Sequence, residues 1–324
     1  MIKWAFRTLA VILVVLAALF VHLMISAVQR TESAPDQEYD YHIQIAVQET
    51  EEYFWQLFRQ GAQQAGEELS AYIEFVPVLP RDPDALRVMV EQGVNAKVDA
   101  LALQAVDVNE TADIVSYALK REIPVLTYES DTFTIPGVPM VSSNSYTTGM
   151  LAGEMAAKAV GDNARAIVIL GNPGAQAEAQ TQNLIIQGIM EGSAKAQGFT
   201  IKSAYVLQTE LFEAEDLRHT LFSRAADINV ILCMDERSTP AIAQMLVDEN
   251  RVGDISIIGY GVMPQTLDYI ERGVIYGSVC PDAHDIGYYT VKSLVDSLNG
   301  RQVSDSFNPD VEIVDRRNIE EYRS

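Results

Sequence analysis

The chain has 324 residues, 48% of them apolar and 21% charged, and a net charge of −22. This length and apolar share suffice for one large or two ordinary globular domains and exclude a disordered chain; the acidic charge excludes nucleic acid as a partner, because phosphates are repelled. Two cysteines are too few for a disulfide framework. Cys233 and Cys280 lie in strand-like runs ("VILCM", "GSVCP") and read either as buried thiols or, on the oxidising side of a membrane, as one disulfide.

In chain order, residues 1–30 read as an N-terminal membrane anchor or signal sequence. "LAVILVVLAALFVHLMISAV", Leu9 to Val28, is apolar apart from His22 and Ser26 and long enough for one transmembrane helix, which needs roughly 20 residues. Lys3 and Arg7 precede it, and Glu32, Asp36, Glu38 and Asp40 follow. The positive-inside rule then places the chain in the cell membrane as a single-pass protein whose globular part is extracytoplasmic. Residues 31–41 are polar and acidic and read as a linker.

From His42 onward, apolar strand-like runs alternate with helical patterns. "IQIAV" predicts a strand, 55–70 a helix close-packed at Gly61 and Ala62, "IEFVPV" a strand, and "DPDALRVMVEQG" a helix with an Asp cap, a first-turn proline and a glycine stop. "ALALQ", a helix over 109–121 and "IPVLTY" close this series. A second series runs helix 145–160, "AIVIL", helix 179–197, "TIKSAYVL", helix 213–226 and "NVILCM". It continues with helix 238–249, "ISIIGY", helix 264–272, "YGSV" and helix 284–299. Apolar strands separated by crossover helices predict an α/β fold of two Rossmann-like lobes with parallel sheets. The expected boundaries are 42–143 for the N-terminal lobe, with 281–305 returning to it, 144–280 for the C-terminal lobe, and 306–324 for a C-terminal tail. Ligands of such sheets sit beyond the carboxyl ends of the strands. There the chain has "QETEEYFW", "QAVD", "ESD", "MDERS" and "GYGVMP".

Several stretches carry a resemblance that spans Ile43 to Asn299. "IQIAVQETEEYFWQLFRQGAQQAGEEL", "EQGVNAKVDALALQAVD", "IPVLTYES", "VSSNSYTTGMLAGEMAA", "INVILCMDERSTPAIAQML" and "HDIGYYTVKSL" resemble, in order, segments of the type 1 periplasmic binding proteins. The similarity is to the sugar-binding branch, the group of the ribose and galactose binders. It implies two hinged lobes that close on a sugar or polyol. By position it makes Phe54 and Trp55 the stacking pair, with Gln104, Glu129, Ser143 and Asp235 as polar contacts and Tyr260 on the far wall. Departures from the pattern are Glu52 in place of an asparagine, Ser130 and Ile185 in place of arginines, Gly261 in place of an aspartate and Pro281 in place of a glutamine. Glu52 joins the expected ligand-binding set, and the exchange leaves a more acidic cleft.

No catalytic set, metal site or cofactor is expected. The four histidines lack zinc spacing, and Asp282, His284 and Asp285 read as the cap of the last helix. "GNPGAQAEA" and "GYG" lack the glycines of a dinucleotide or phosphate loop. The expected function is a non-enzymatic extracytoplasmic receptor for a small polar solute, presenting its state to a sensor histidine kinase or an ABC permease. The alternatives are a ligand-free interaction module and an extracytoplasmic enzyme on the same fold.

Overall fold

The computed structural model describes residues 39–323 except 49–52, 80–81, 105–107, 130–133, 172–175, 207–217, 219–220 and 223–226. The expected transmembrane helix therefore lies outside the described residues, as does most of the helix expected over 213–226. Among the described residues no helix is long and apolar enough to cross a membrane.

Among the described residues, two six-stranded sheets form the framework. The first contains β1 (Tyr41–Gln48), β2 (Ala71–Val78), β3 (Ala100–Gln104), β4 (Val125–Tyr128), β5 (Met140–Val141) and β11 (Ser306–Phe307), in the order β11-β5-β4-β3-β1-β2. Every pairing in it is parallel. The second contains β6 (Arg165–Leu170), β7 (Thr200–Val206), β8 (Val230–Met234), β9 (Ser256–Tyr260), β10 (Gly277–Pro281) and β12 (Val311–Val314). Its order is β12-β10-β9-β8-β6-β7, parallel except for the antiparallel β10–β12 pair. The central strands β3, β4, β8 and β10 are buried along nearly their whole length, as parallel strands covered on both faces must be.

The helices are α1 (Tyr53–Glu68), α2 (Pro83–Ala96), α3 (Val108–Leu119), α4 (Ser145–Val160), α5 (Gln176–Gly192), α6 (Ser238–Asp248), α7 (Pro264–Arg272) and α8 (Ala283–Leu298). Asp82 caps α2 by accepting the Ala85 N–H at 2.9 Å, with Pro83 in the first turn. Gly93, expected to stop this helix, lies inside it; the stop is Lys97 in a left-handed conformation. Gly93 is small for a packing reason, since a Cβ there would strike the Gln44 side chain. Asp282 caps α8 by accepting the Asp285 N–H at 2.9 Å. Helices α1 and α8 pack with their backbones in contact: a Cβ on Gly61 would overlap the His284 carbonyl, and one on Gly287 the Phe58 carbonyl.

The chain passes between the sheets three times, after β5, after β10 and after β11. The crossing segments bond to one another. The Ser142 N–H donates to the Phe307 carbonyl at 3.1 Å, the Ser142 hydroxyl to Asn308 Oδ1 at 3.2 Å, and the Asp282 N–H to the Asp310 carbonyl at 3.3 Å. Residues 306–324, expected as a tail, thread β11 and β12 into the two sheets and end in a short 3-10 turn whose Arg323 pairs with Asp268 and Glu271 on α7. Cys233 and Cys280 are buried free thiols in β8 and β10, and burial pushes both up in pKa.

Candidate functional site

The residues singled out by sequence come together at the carboxyl ends of β3, β4, β8 and β9, with one main correction. Helix α1 begins at Tyr53, two residues earlier than expected, so Phe54 and Trp55 belong to its first turn and not to a loop. Trp55, Phe58, Ala62 and Ala65 then share the face turned into the N-terminal lobe. Trp55 is 3% exposed, edge-on to Phe58 at 5.6 Å and to Tyr128 at 6.1 Å. It is a core residue, and the expected stacking pair reduces to Phe54. Phe54 is half-buried and lies edge-to-face with Trp55 at 5.2 Å. Tyr53 and Leu57, on the other side of the turn, pack against the core of the C-terminal lobe. Glu52 lies outside the described residues.

On the N-terminal lobe, Gln104 ends β3 opposite Tyr128. The Tyr128 ring stacks on Phe58 at 4.8 Å and its hydroxyl donates to the Ala46 carbonyl, which locks the core beneath the site. Glu129 follows β4 in a left-handed conformation (φ 58°). Its N–H donates to the Val141 carbonyl at 3.0 Å, and its Oε1 accepts from the Ser143 hydroxyl at 3.4 Å. The strand-end turn thus presents Glu129 and Ser143 together.

On the C-terminal lobe, Asp235 follows β8. Its Oδ1 accepts the Ser238 N–H at 2.7 Å, and its carbonyl accepts the Thr239 hydroxyl at 2.9 Å. One carboxylate oxygen therefore starts α6, while Oδ2 faces Gly171 at the end of β6. Tyr260 ends β9, its N–H donating to the Thr239 hydroxyl oxygen at 3.0 Å. Its phenol is pushed well above the usual range, first by burial and then by neighbouring acidic groups, among them the carboxylates of Glu129, Glu236 and Asp235. Glu129 comes from the opposite lobe, so the field at Tyr260 links both walls.

Glu236 is the residue that sequence reasoning missed. It is 8% exposed, and its Oε2 accepts the Phe54 N–H at 3.2 Å, across the lobes. Beside it Gly261 takes φ 75°, and a Cβ there would lie 3.0 Å from Glu236 Cγ and 3.2 Å from Oε1. The signal available was the missing aspartate at 261: a side chain there would be strained at this φ and would crowd the neighbouring carboxylate. Of the other departures, Ile185 is packed in the C-terminal lobe core and Pro281 lies in β10, while Ser130 is outside the described residues.

Asp282, His284 and Asp285 have ligand atoms within 4.8 Å of one another. Asp282 is engaged as the α8 cap and His284 Nε2 lies 3.0 Å from Gln64 Oε1. A surface groove of about 490 Å³ lies between the carboxyl ends of α4 and α5, by Lys158 and Lys195. Helix carboxyl ends face the amino ends of the strands in such a lobe, so this groove is on the side away from the cleft.

The periplasmic binding protein domain matches residues 43–302, most of the chain. The chain belongs to the periplasmic binding protein family. This binding protein is 20% identical to the ribose import binding protein of Haemophilus influenzae over 288 residues, 89% of this chain and 94% of the relative. Its fold matches a solute binding protein from Burkholderia graminis crystallised with D-arabinose, with TM-score 0.77, 20% identity, and coverage of 89% of this chain and 99% of the other. It also matches a chain of the XylFII–LytSN complex, with TM-score 0.73, 19% identity and coverage of 86% and 98%. At these identities the solved structures support the two-lobed type 1 fold of the binding protein, and its ligand has to be argued from its own residues.

Proposed function

We propose that this protein is a receptor for a small, donor-rich polyol, a sugar or an amine-bearing sugar, gripped between its two lobes. The observation that carries this reading is the set of carboxylates at the strand ends of both lobes: Glu129 beside Ser143 on one, and on the other Asp235 at the start of α6 and Glu236, whose Oε2 reaches the Phe54 N–H. Carboxylates accept only, and each can take hydrogen bonds from more than one ligand hydroxyl or ammonium. Phe54 supplies an aromatic face suited to the CH side of a pyranose or furanose. The positions at which the resemblance implied arginines and a glutamine are Ser130, Ile185 and Pro281, so the ligand meets acceptors more than donors. The relatives named for ribose import and crystallised with D-arabinose support a sugar-sized guest.

Isothermal titration of the full chain with D-ribose, D-allose, D-arabinose, D-galactose, myo-inositol and D-glucosamine tests this. At least one should bind saturably, and Glu129→Ala should weaken that binding tenfold or more, about 1.4 kcal/mol. Absence of saturable binding across the whole set overturns the reading.

We further infer that the chain is anchored in the cell membrane by residues 9–28 and presents its closed form on the outer side to a sensor histidine kinase. The apolar run with its flanking charges supports the anchor, and a tethered receptor suits a kinase better than a diffusing shuttle does. Among the solved structures, the likeness to a chain of the XylFII–LytSN complex fits a sensor partner and the likeness to an ABC transporter solute binding protein fits a permease. Cross-linking in native membranes should capture a kinase ectodomain. Capture of a permease alone would move the protein to the importer role.

A further inference from the structure

The two lobes are joined at the cleft by a bond in which both groups belong to the chain itself. Phe54 is the second residue of α1, and the first-turn N–H groups of a helix have no acceptor within it. Among the described residues of that turn none is acidic. The acceptor is Glu236 of the opposite lobe, 8% exposed, with Oε2 3.2 Å from the Phe54 nitrogen. The positive end of the helix dipole strengthens such a contact, and partial burial weakens its screening. Tyr53 and Leu57 of the same helix rest on the C-terminal lobe core, so apolar contact flanks the bond.

Gly261 makes room for this arrangement. At φ 75° it is held by its N–H to the Val279 carbonyl at 2.9 Å and by the Ser278 hydroxyl donating to its own carbonyl at 2.7 Å. A side chain at 261 would meet Glu236 at Cγ and Oε1 and force it off its course toward the helix end.

We propose that Glu236, seated against Gly261, is an interlobe latch: it caps α1 from the opposite lobe, so that the closed arrangement has a stabilisation of its own. A receptor built this way populates the closed form before any solute bridges the lobes, and a solute adds to a bias already present. The proposal rests on the two-lobed fold and is independent of which ligand the cleft takes.

The test uses the full chain carrying Val88→Cys on α2 and Val247→Cys on α6, exposed sites on the two lobes, both spin-labelled, with distances read by double electron–electron resonance in sugar-free buffer. The native cysteines are buried. With Glu236 in place, one short distance should dominate. Glu236→Met keeps the volume and loses the acceptor, and should lower the short-to-long ratio at least fivefold. Glu236→Gln keeps an acceptor oxygen and should retain the short distance. Gly261→Asp should behave as Glu236→Met does, and replaces it as the test if that variant loses its helical circular dichroism. A Glu236→Met or Gly261→Asp distribution matching the parent overturns the latch, as does a parent that is already mostly long. No sugar enters the measurement, so its failure is separate from failure of the titration.

Discussion

At Tyr260 one phenol feels carboxylates from two lobes, and burial with that field pushes it further above the ordinary tyrosine value, which already leaves a phenol protonated at neutral pH. It is therefore a hydrogen-bond donor among acceptors. Tyr260→Phe should weaken binding of the responding sugar about tenfold with little change in melting temperature, by titration and calorimetry respectively; unchanged affinity would place the hydroxyl outside the site. Trp55 should behave in the opposite way. Its indole is sealed between Phe54, Phe58 and Tyr128, so Trp55→Ala should cost about 3–5 kcal/mol of stability. The protein that remains folded should bind within about threefold of the parent. The sequence showed three consecutive aromatics but not where the helix begins, and a two-residue shift in that start turns the indole from the cleft into the core. Glu236 was illegible for a related reason: beside Asp235, which the resemblance marks as a polar contact, a second acid reads as surface charge.

Among the elements, the α1–α8 contact has the least room to adapt. Gly61 and Gly287 let each helix touch the backbone of the other, and Gly287→Val should destabilise by about 1–3 kcal/mol or more through overpacking, measured by urea denaturation. The carboxyl end of α8 carries a pH response. Partial burial pushes the Asp296 carboxyl up, but Lys292 at 2.6 Å and Arg301 at 2.8 Å outweigh it and hold it below the ordinary aspartate range. A depressed folded-state value contributes stability that is complete above the unfolded value, about 3.9, and is lost as pH falls through the folded value. Asp296→Asn should flatten the loss of urea midpoint below about pH 4, modestly because solvent screens the pair. Most elements were readable because their signals are local: an Asp cap before Pro83, apolar runs of five to eight residues, and glycines spaced on one helix face. The strands β5, β11 and β12 have only two to four residues, too few for a period-two pattern, and they exist because the neighbouring sheet edge supplies their partners.

For the whole molecule, the two-lobed architecture was legible because two strand–helix series of similar length repeat in order, and the family match over residues 43–302 supports it. What the sequence could not display was contact across the lobes, since Phe54 and Glu236 are 182 positions apart and nothing local marks such a pair. Small-angle scattering should report this level directly. Without sugar, Glu236→Met should have a larger radius of gyration than the parent; equal values would count against a preset closed bias.

The threading of residues 306–314 through both sheets also bears on how the protein is made. The first sheet waits for Ser306–Phe307 and the second for Val311–Val314, so neither half can be finished until that segment has left the ribosome. Both halves are then completed together, each sheet keeping an open edge until the segment docks, and deletion of residues 306–314 should be punished as aggregation more than as a weaker grip.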